Sequence, residues 1–187
     1  MLAIEYFHMV IAISAVWVLI RAICWVRDKK ISLKREAALL LVYICLIVVV
    51  RFTFCPFGKV DGKIQPLLFD KEKILPFWLN LKPFVYLFDY PTLKEALLNL
   101  IGNVAMFIPL GIVWPAVFRK LDRAWKVIAA GVGVSLCIEL LQLPFFGRST
   151  DIDDLLLNSA GFLMGYGIYS AVTGIARAIR RKKQASA

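Results

Sequence analysis

One histidine, His8, is all that this 187-residue sequence offers in the way of imidazole. A metal centre built on histidine is therefore not expected, and neither is the multi-histidine chemistry of membrane phosphatases. The G-x-S-x-G, H-E-x-x-H and Walker patterns are also missing, which argues against a serine-hydrolase elbow, a zinc protease and a P-loop nucleotide site. Cysteine is sparse: Cys24, Cys45, Cys55 and Cys137 show no C-x-x-C spacing and fall in or at the ends of apolar runs. They read as small apolar residues, not as a disulfide framework or a zinc site, with Cys55 nearest the outer surface. Charge is scarce too, at 19% against 60% hydrophobic residues, an apolar share well above that of soluble domains.

What is present is a series of long apolar runs. A membrane-crossing helix needs about 20 mainly apolar residues, and five stretches qualify: Ile4 to Val26, Ala37 to Phe54, Lys94 to Phe118, Ala124 to Leu143, and Asp154 to Ala176. The expected fold is all-α, a polytopic helical bundle with an interfacial or re-entrant extracytoplasmic segment, forming one domain over residues 1–187. The first run is long and carries Glu5 and His8 in place of a basic leader, so it is expected to stay in the mature protein. Arg21, near its inner end, is expected to snorkel to the headgroups.

Net charge is +10, and its distribution sets the topology. Arg27, Lys29, Lys30, Lys34 and Arg35 separate spans one and two. Arg119, Lys120, Arg123 and Lys126 separate spans three and four, and Arg177, Arg180, Arg181, Lys182 and Lys183 follow span five. With five spans these segments fall on one side and hold more than half of the 23 lysines and arginines. By the positive-inside rule the amino terminus is outside and the carboxyl terminus in the cytoplasm. The basic tail, 177–187, reads as an anchor near anionic lipid, and no nucleic-acid partner is expected.

The long connection from Cys55 to Thr92 is then extracytoplasmic. Its first part, G-K-V-D-G-K-I-Q-P, reads as a polar turn or short hairpin. Its second part is apolar but interrupted by Pro76, Pro83 and Pro91, and its aromatics Phe77, Trp78, Phe84, Tyr86, Phe88 and Tyr90 suit a membrane interface. This part is expected to lie over the outer mouth of the bundle.

Polar residues inside the spans recur at helical spacing. Ser135, Glu139 and Gln142 share one face of span four, and Asp154, Asn158, Gly161 and Gly165 share one face of span five. Asn99 and Asn103 share a face of span three above Pro109, where a kink is expected. Together with Arg51, Arg148 and Asp151 these residues converge on the outer third of the membrane. An ionisable side chain in a span is a candidate functional group because leaving it unpaired there is costly. Four readings follow from the residue types. Carboxylates and amide oxygens could hold a hard cation, or Glu139 could exchange a proton beside an ionised aspartate. Arg148 and Arg51 could grip an anionic headgroup, or could neutralise the acids in a purely structural network, with Arg148 the nearest partner for Glu139.

These positions also resemble the VanZ-like family of bacterial membrane proteins. The likeness is carried by Asn80, Pro83 and Phe84, then Asn99, Gly102, Asn103, Phe107, Pro109 and Gly111. It continues through Ser135, Glu139, Gln142, Arg148, Asp151, Asp154, Asn158 and Gly161, and covers about 50–170. The resemblance implies a cytoplasmic-membrane protein associated with resistance to glycopeptide and lipoglycopeptide antibiotics, notably teicoplanin. From the residue types themselves, Glu139, Asp151 and Asp154 are the candidate catalytic residues. Arg148, Gln142, Asn99, Asn103, Asn158, Ser135 and Arg51 are the candidate ligand contacts, with a lipid-linked or lipoglycopeptide ligand as partner. No resident metal is assigned, and no cofactor is implied. A carboxylate-dependent enzyme on a lipid-linked substrate, a structural polar network and a small transporter are the alternative readings, the last disfavoured by the lack of inverted repeats. Reporter fusions after Arg123 and after Lys183 should read cytoplasmic, and fusions within Gly58 to Gln65 external. A cytoplasmic reading for that loop would overturn the five-span topology.

Overall fold

The computed structural model describes residues 2–29, 31–55, 59–60, 62–70, 72, 79–85, 89–118, 120–146, 148 and 150–185, with the backbone alone at Lys59 and Val60. Among the described residues five α-helices carry the chain: α1 Tyr6–Asp28, α2 Leu33–Phe54, α3 Leu93–Val117, α4 Ala124–Gln142 and α5 Ile152–Ala185. All are long and apolar enough to cross a membrane, and the chain is a multi-pass membrane protein. Short strands join them at one end: β1 Leu2–Ile4, β2 Lys59–Val60, β3 Lys63–Ile64, β4 Leu67–Phe69, β5 Leu79–Asn80 and β6 Thr150–Asp151.

Helix boundaries follow local chemistry. Thr92 caps α3 by accepting the Glu95 N–H at 3.2 Å, the first half of a capping box written Thr-x-x-Glu. α3 runs on through Pro109 and Pro115 without interruption, where a proline removes an internal hydrogen bond that an isolated helix could not spare. α5 exceeds the sequence expectation by about two turns at its carboxyl-terminal end and includes the basic stretch Arg177 to Lys183. Cationic side chains in the last turns oppose the helix dipole favourably, so the tail extends the helix.

The bundle is organised by α3 and α5, which meet backbone to backbone. A Cβ at Gly161 would stand 2.0 Å from the Val104 carbonyl oxygen, one at Gly165 2.1 Å from that of Ile108, and one at Gly111 2.1 Å from that of Phe162. Only glycine permits this approach, as the small-residue stripe on α5 predicts. Gly131 opens a seat in α4 for the Phe162 ring, while Gly133 faces open space. Phe107, Leu110, Val127 and Phe162 fill the core around the contact.

α1 is peripheral and buries none of its residues. It is fixed to α2 by the Ser14 hydroxyl and Tyr43 hydroxyl, 2.6 Å apart, and by the Trp17 and Tyr43 rings. Arg21 does not snorkel alone: it forms an ion pair with Glu36 of α2. The partner comes from the next helix, and pairing satisfies the guanidinium more fully than headgroups would.

The expected hairpin is present as β2 and β3, antiparallel, with Gly62 at φ 74 in its turn. An unforeseen pairing joins β1 to β4, Leu2 opposite Phe69. The same strand reaches the α4–α5 turn, where Asp70 N–H donates to the Pro144 carbonyl at 2.9 Å and Phe146 N–H to that of Leu68 at 2.8 Å. The amino terminus, the long connection and the helical hairpin are thus stitched into one cap. Within the predicted flap, Phe77, Trp78, Tyr86 and Phe88 lie outside the described residues.

Gly161→Leu should abolish correctly assembled protein, because the added side chain meets backbone that cannot yield, whereas Gly133→Leu should be tolerated. Monodisperse yield after detergent extraction reads the difference, and equal yields would contradict the α3–α5 contact.

Candidate functional site

The polar stripes of α3, α4 and α5 meet just below the cap. Glu139 lies three residues before the end of α4 and is only 2% exposed. Its carboxylate takes the Asp151 backbone N–H at 3.0 Å, and its own carbonyl accepts the Thr150 hydroxyl at 2.7 Å. The chain leaving α4 turns at Pro144 and returns across the helix end, so both ends of residue 139 are closed by residues 150–151. An orphan carbonyl of the last helical turn and a buried carboxylate are satisfied together.

Asp151 and Asp154 stand beside it. Asn80 Nδ2 donates to both oxygens of Asp151, each at 3.1 Å. β5 also pairs in parallel with β6, Leu79 opposite Thr150 and Asn80 opposite Asp151. Asn103 Nδ2 donates to Asp154 at 2.5 Å and to the side-chain Oδ1 of Asn99 at 2.8 Å, while Asn99 Nδ2 donates to the Tyr90 hydroxyl. One turn below, Asn158 Nδ2 donates to Ser135 Oγ at 3.1 Å, joining α5 to α4. Gln142 Nε2 donates to the Thr53 carbonyl at 2.5 Å, joining α4 to the end of α2. The structure therefore brings Glu139, Asp151, Asp154, Asn99, Asn103, Ser135, Gln142 and Asn158 to one end of the bundle.

Arg148 behaves otherwise than expected. Arg148 does not bind Glu139; its Nη2 donates to the Phe54 carbonyl at 2.9 Å, closing the end of α2. Burial pushes its guanidinium below the ordinary range, and the negative charges of Asp154 and Glu139 act in the opposite sense without forming an ion pair. Arg51 donates to the Cys55 carbonyl at 3.4 Å and lies near the Tyr6 and Phe52 rings. Cys55 itself is fully buried beneath the cap.

Several contributors escaped the sequence reading as site residues. Asp153 is 4% exposed, takes the Phe84 N–H on Oδ1 at 2.8 Å, and donates its own N–H to Asp151 at 2.9 Å. Phe84 holds φ 65, a conformation that disfavours a bulky residue, and follows Pro83 in a turn whose second corner calls for it. Phe84 as a whole is 69% exposed. Asp153 was legible only as one more acid in Asp-Ile-Asp-Asp, and Asn80 only through its place beside Pro83 and Phe84. Burial also raises the Tyr90 phenol, as do the nearby charges of Asp154 and Asp151. Among the described residues no group of three or more histidine, cysteine, aspartate or glutamate side chains is arranged to hold a metal ion.

Arg148→Met leaves the Phe54 carbonyl without its partner and should destabilise the folded protein by about 1–3 kcal/mol. Arg27→Met, at a mainly exposed pair near the opposite end of the bundle, should change stability far less, because exposed ion pairs contribute little. Unfolding in mixed micelles checks both, and equal effects would contradict the buried role of Arg148.

Residues 40–174 match the family model VanZ/LLP1, which spans all of α3 and α4 and most of α2 and α5. Protein VanZ of Enterococcus faecium is 32% identical over 91 residues, 49% of this chain and 52% of that protein. The match thus spans about half the length of that relative. No solved structure matches the chain. The chain belongs to the VanZ/LLP1 family.

Proposed function

We propose that this protein works in the bacterial cytoplasmic membrane as a VanZ-type envelope protein that lowers sensitivity to lipoglycopeptide antibiotics such as teicoplanin. The polar site of Glu139, Asp151 and Asp154 faces the outside. Family membership supports the role. The position of the basic residues supports the orientation, with the amino terminus external and the carboxyl terminus cytoplasmic. The observation that carries the site is the burial of Glu139 at 2% exposure with, among the described residues, a backbone N–H from Asp151 as the one donor on its carboxylate. An acid needed solely to lock helices would be better served by an arginine, and Arg148 is near yet bonded elsewhere.

In this reading Asn99, Asn103, Asn158, Ser135 and Gln142 set the positions of the acids. A second reading, an enzyme acting on a lipid-linked envelope substrate, is favoured by one feature. Glu139 and Asp154 stand on adjacent helices with different partners, a main-chain N–H for one and an asparagine amide for the other. Different surroundings are what set two carboxyl groups to opposite acid and base tasks.

Glu139→Gln keeps shape and one accepting oxygen, so the variant should insert and express normally. It should nevertheless return a teicoplanin-challenged host to the inhibitory concentration of the empty vector. Full protection from a well-expressed Glu139→Gln would remove the site from the function.

A further inference from the structure

Donors and acceptors at the outer end of the bundle are out of balance. The amide nitrogens of the site are already engaged: Asn80 with Asp151, Asn103 with Asn99 and Asp154, Asn158 with Ser135, and Gln142 with the Thr53 carbonyl. For Asn80, Asn103 and Gln142 the partner is a carboxylate or a carbonyl, which only accepts, so the orientation of the amide is fixed by chemistry. What remains, apart from the Ser159 hydroxyl, is acceptor oxygen, fixed as such by partner chemistry at Asp153 and Gln142. Asp153 Oδ2, Gln142 Oε1 and Asn158 Oδ1 have no hydrogen-bond partner among the described residues. Their side chains belong to residues only 4%, 4% and 1% exposed.

The three left-over oxygens share the outer polar region of α4 and α5. Gln142 is on the Glu139 face of α4, one turn further out, and Asn158 is one turn below Asp154 on α5. Asp153 stands in the first turn of α5, held under residues 79–85 by the Phe84 N–H on its other oxygen. A buried carboxylate oxygen without a donor loses hydration and recovers nothing from the protein. Arg148, its Nη2 committed to the Phe54 carbonyl, forms no ion pair with these acids among the described residues. Asp151, Asp154 and Asn80 are half-buried, so the cluster reaches the surface beside the Asn80 edge of the cap.

We propose that the head of α5 and the 79–85 segment bind a primary ammonium group, with Asp151, Asp153 and Asp154 as its acceptors. An ammonium carries three donors, no acceptor and the complementary charge. A phosphate brings only negative charge and further acceptors, and is the wrong ligand for this cluster. The inference rests on the outward polar site proposed above and names the class of group it takes. An amine-bearing lipid headgroup and a free amino sugar share that chemistry.

The test uses the full chain in nanodiscs of phosphatidylglycerol, with thermal unfolding followed during titration by glucosamine, N-acetylglucosamine or inorganic phosphate. Glucosamine should raise the unfolding temperature saturably, and the other two should not. Asp153→Asn and Asp154→Asn should each weaken half-saturation at least about tenfold, as expected on loss of a charge-assisted bond. If Asp153→Asn fails to assemble, Asp154→Asn carries the comparison. Nanodiscs containing phosphatidylethanolamine then separate the sources. A lipid amine would compete with glucosamine, and no competition would assign the site to a soluble amine. Equal stabilisation by N-acetylglucosamine or phosphate, or unchanged glucosamine binding in both variants, would overturn the proposal. Loss of protection in Glu139→Gln would stand in either case, so failure of the ligand class is distinguishable from failure of the site.

Discussion

Everything at the capped end of this protein depends on how closely α5 can lie against α3. In lipid the hydrophobic effect gives helices no reason to associate, so packing and polar contacts must supply it. Gly111, Gly161 and Gly165 remove the side chains that would hold the two backbones apart. The resulting contact fixes the position of α5 with respect to α3, and Asp154 consequently falls within hydrogen-bond reach of Asn103. A larger residue anywhere on that stripe would separate the helices and withdraw the acid from its amide. The glycines far from the site are therefore part of what shapes it.

The second constraint is satisfaction of main-chain groups at helix ends in a region with little water. The last turns of α2 and α4 expose carbonyls that have no internal donor. Gln142 and Arg148 answer those of Thr53 and Phe54, and Thr150 answers that of Glu139. Side chains that look functional by charge thus close helix ends, and they bind the α4–α5 hairpin to α2 while doing so. The acids are left with amide and main-chain donors. A cluster assembled this way keeps negative charge available at its rim, whereas a cluster tied up by arginines would not.

Much of this was legible in the sequence because apolar length and helical spacing are local properties. The five spans, the inward stripes of α4 and α5, and the β2–β3 hairpin follow from such patterns. The partner of Glu139 did not, because it is a main-chain N–H, a donor that every residue except proline carries and that no side-chain pattern reveals. Arg21 was read as a lone snorkelling residue since its partner, Glu36, lies across a turn on another helix. Asp153 and Asn80 were missed as site residues for a related reason. Their roles come from a parallel strand pair between segments far apart in sequence, and two-residue strands leave no periodic signal.

The account makes the polar cluster an outward-facing site capped by residues 79–85, and accessibility from the outer side tests this most directly. Lys82→Cys, in a chain whose four native cysteines are replaced by alanine or serine, places a thiol at the exposed corner beside Asn80. On intact cells a membrane-impermeant maleimide should label this thiol to the same extent as after permeabilisation. Labelling seen only after permeabilisation would put the cap and the acids beneath it on the cytoplasmic side, and would contradict the account.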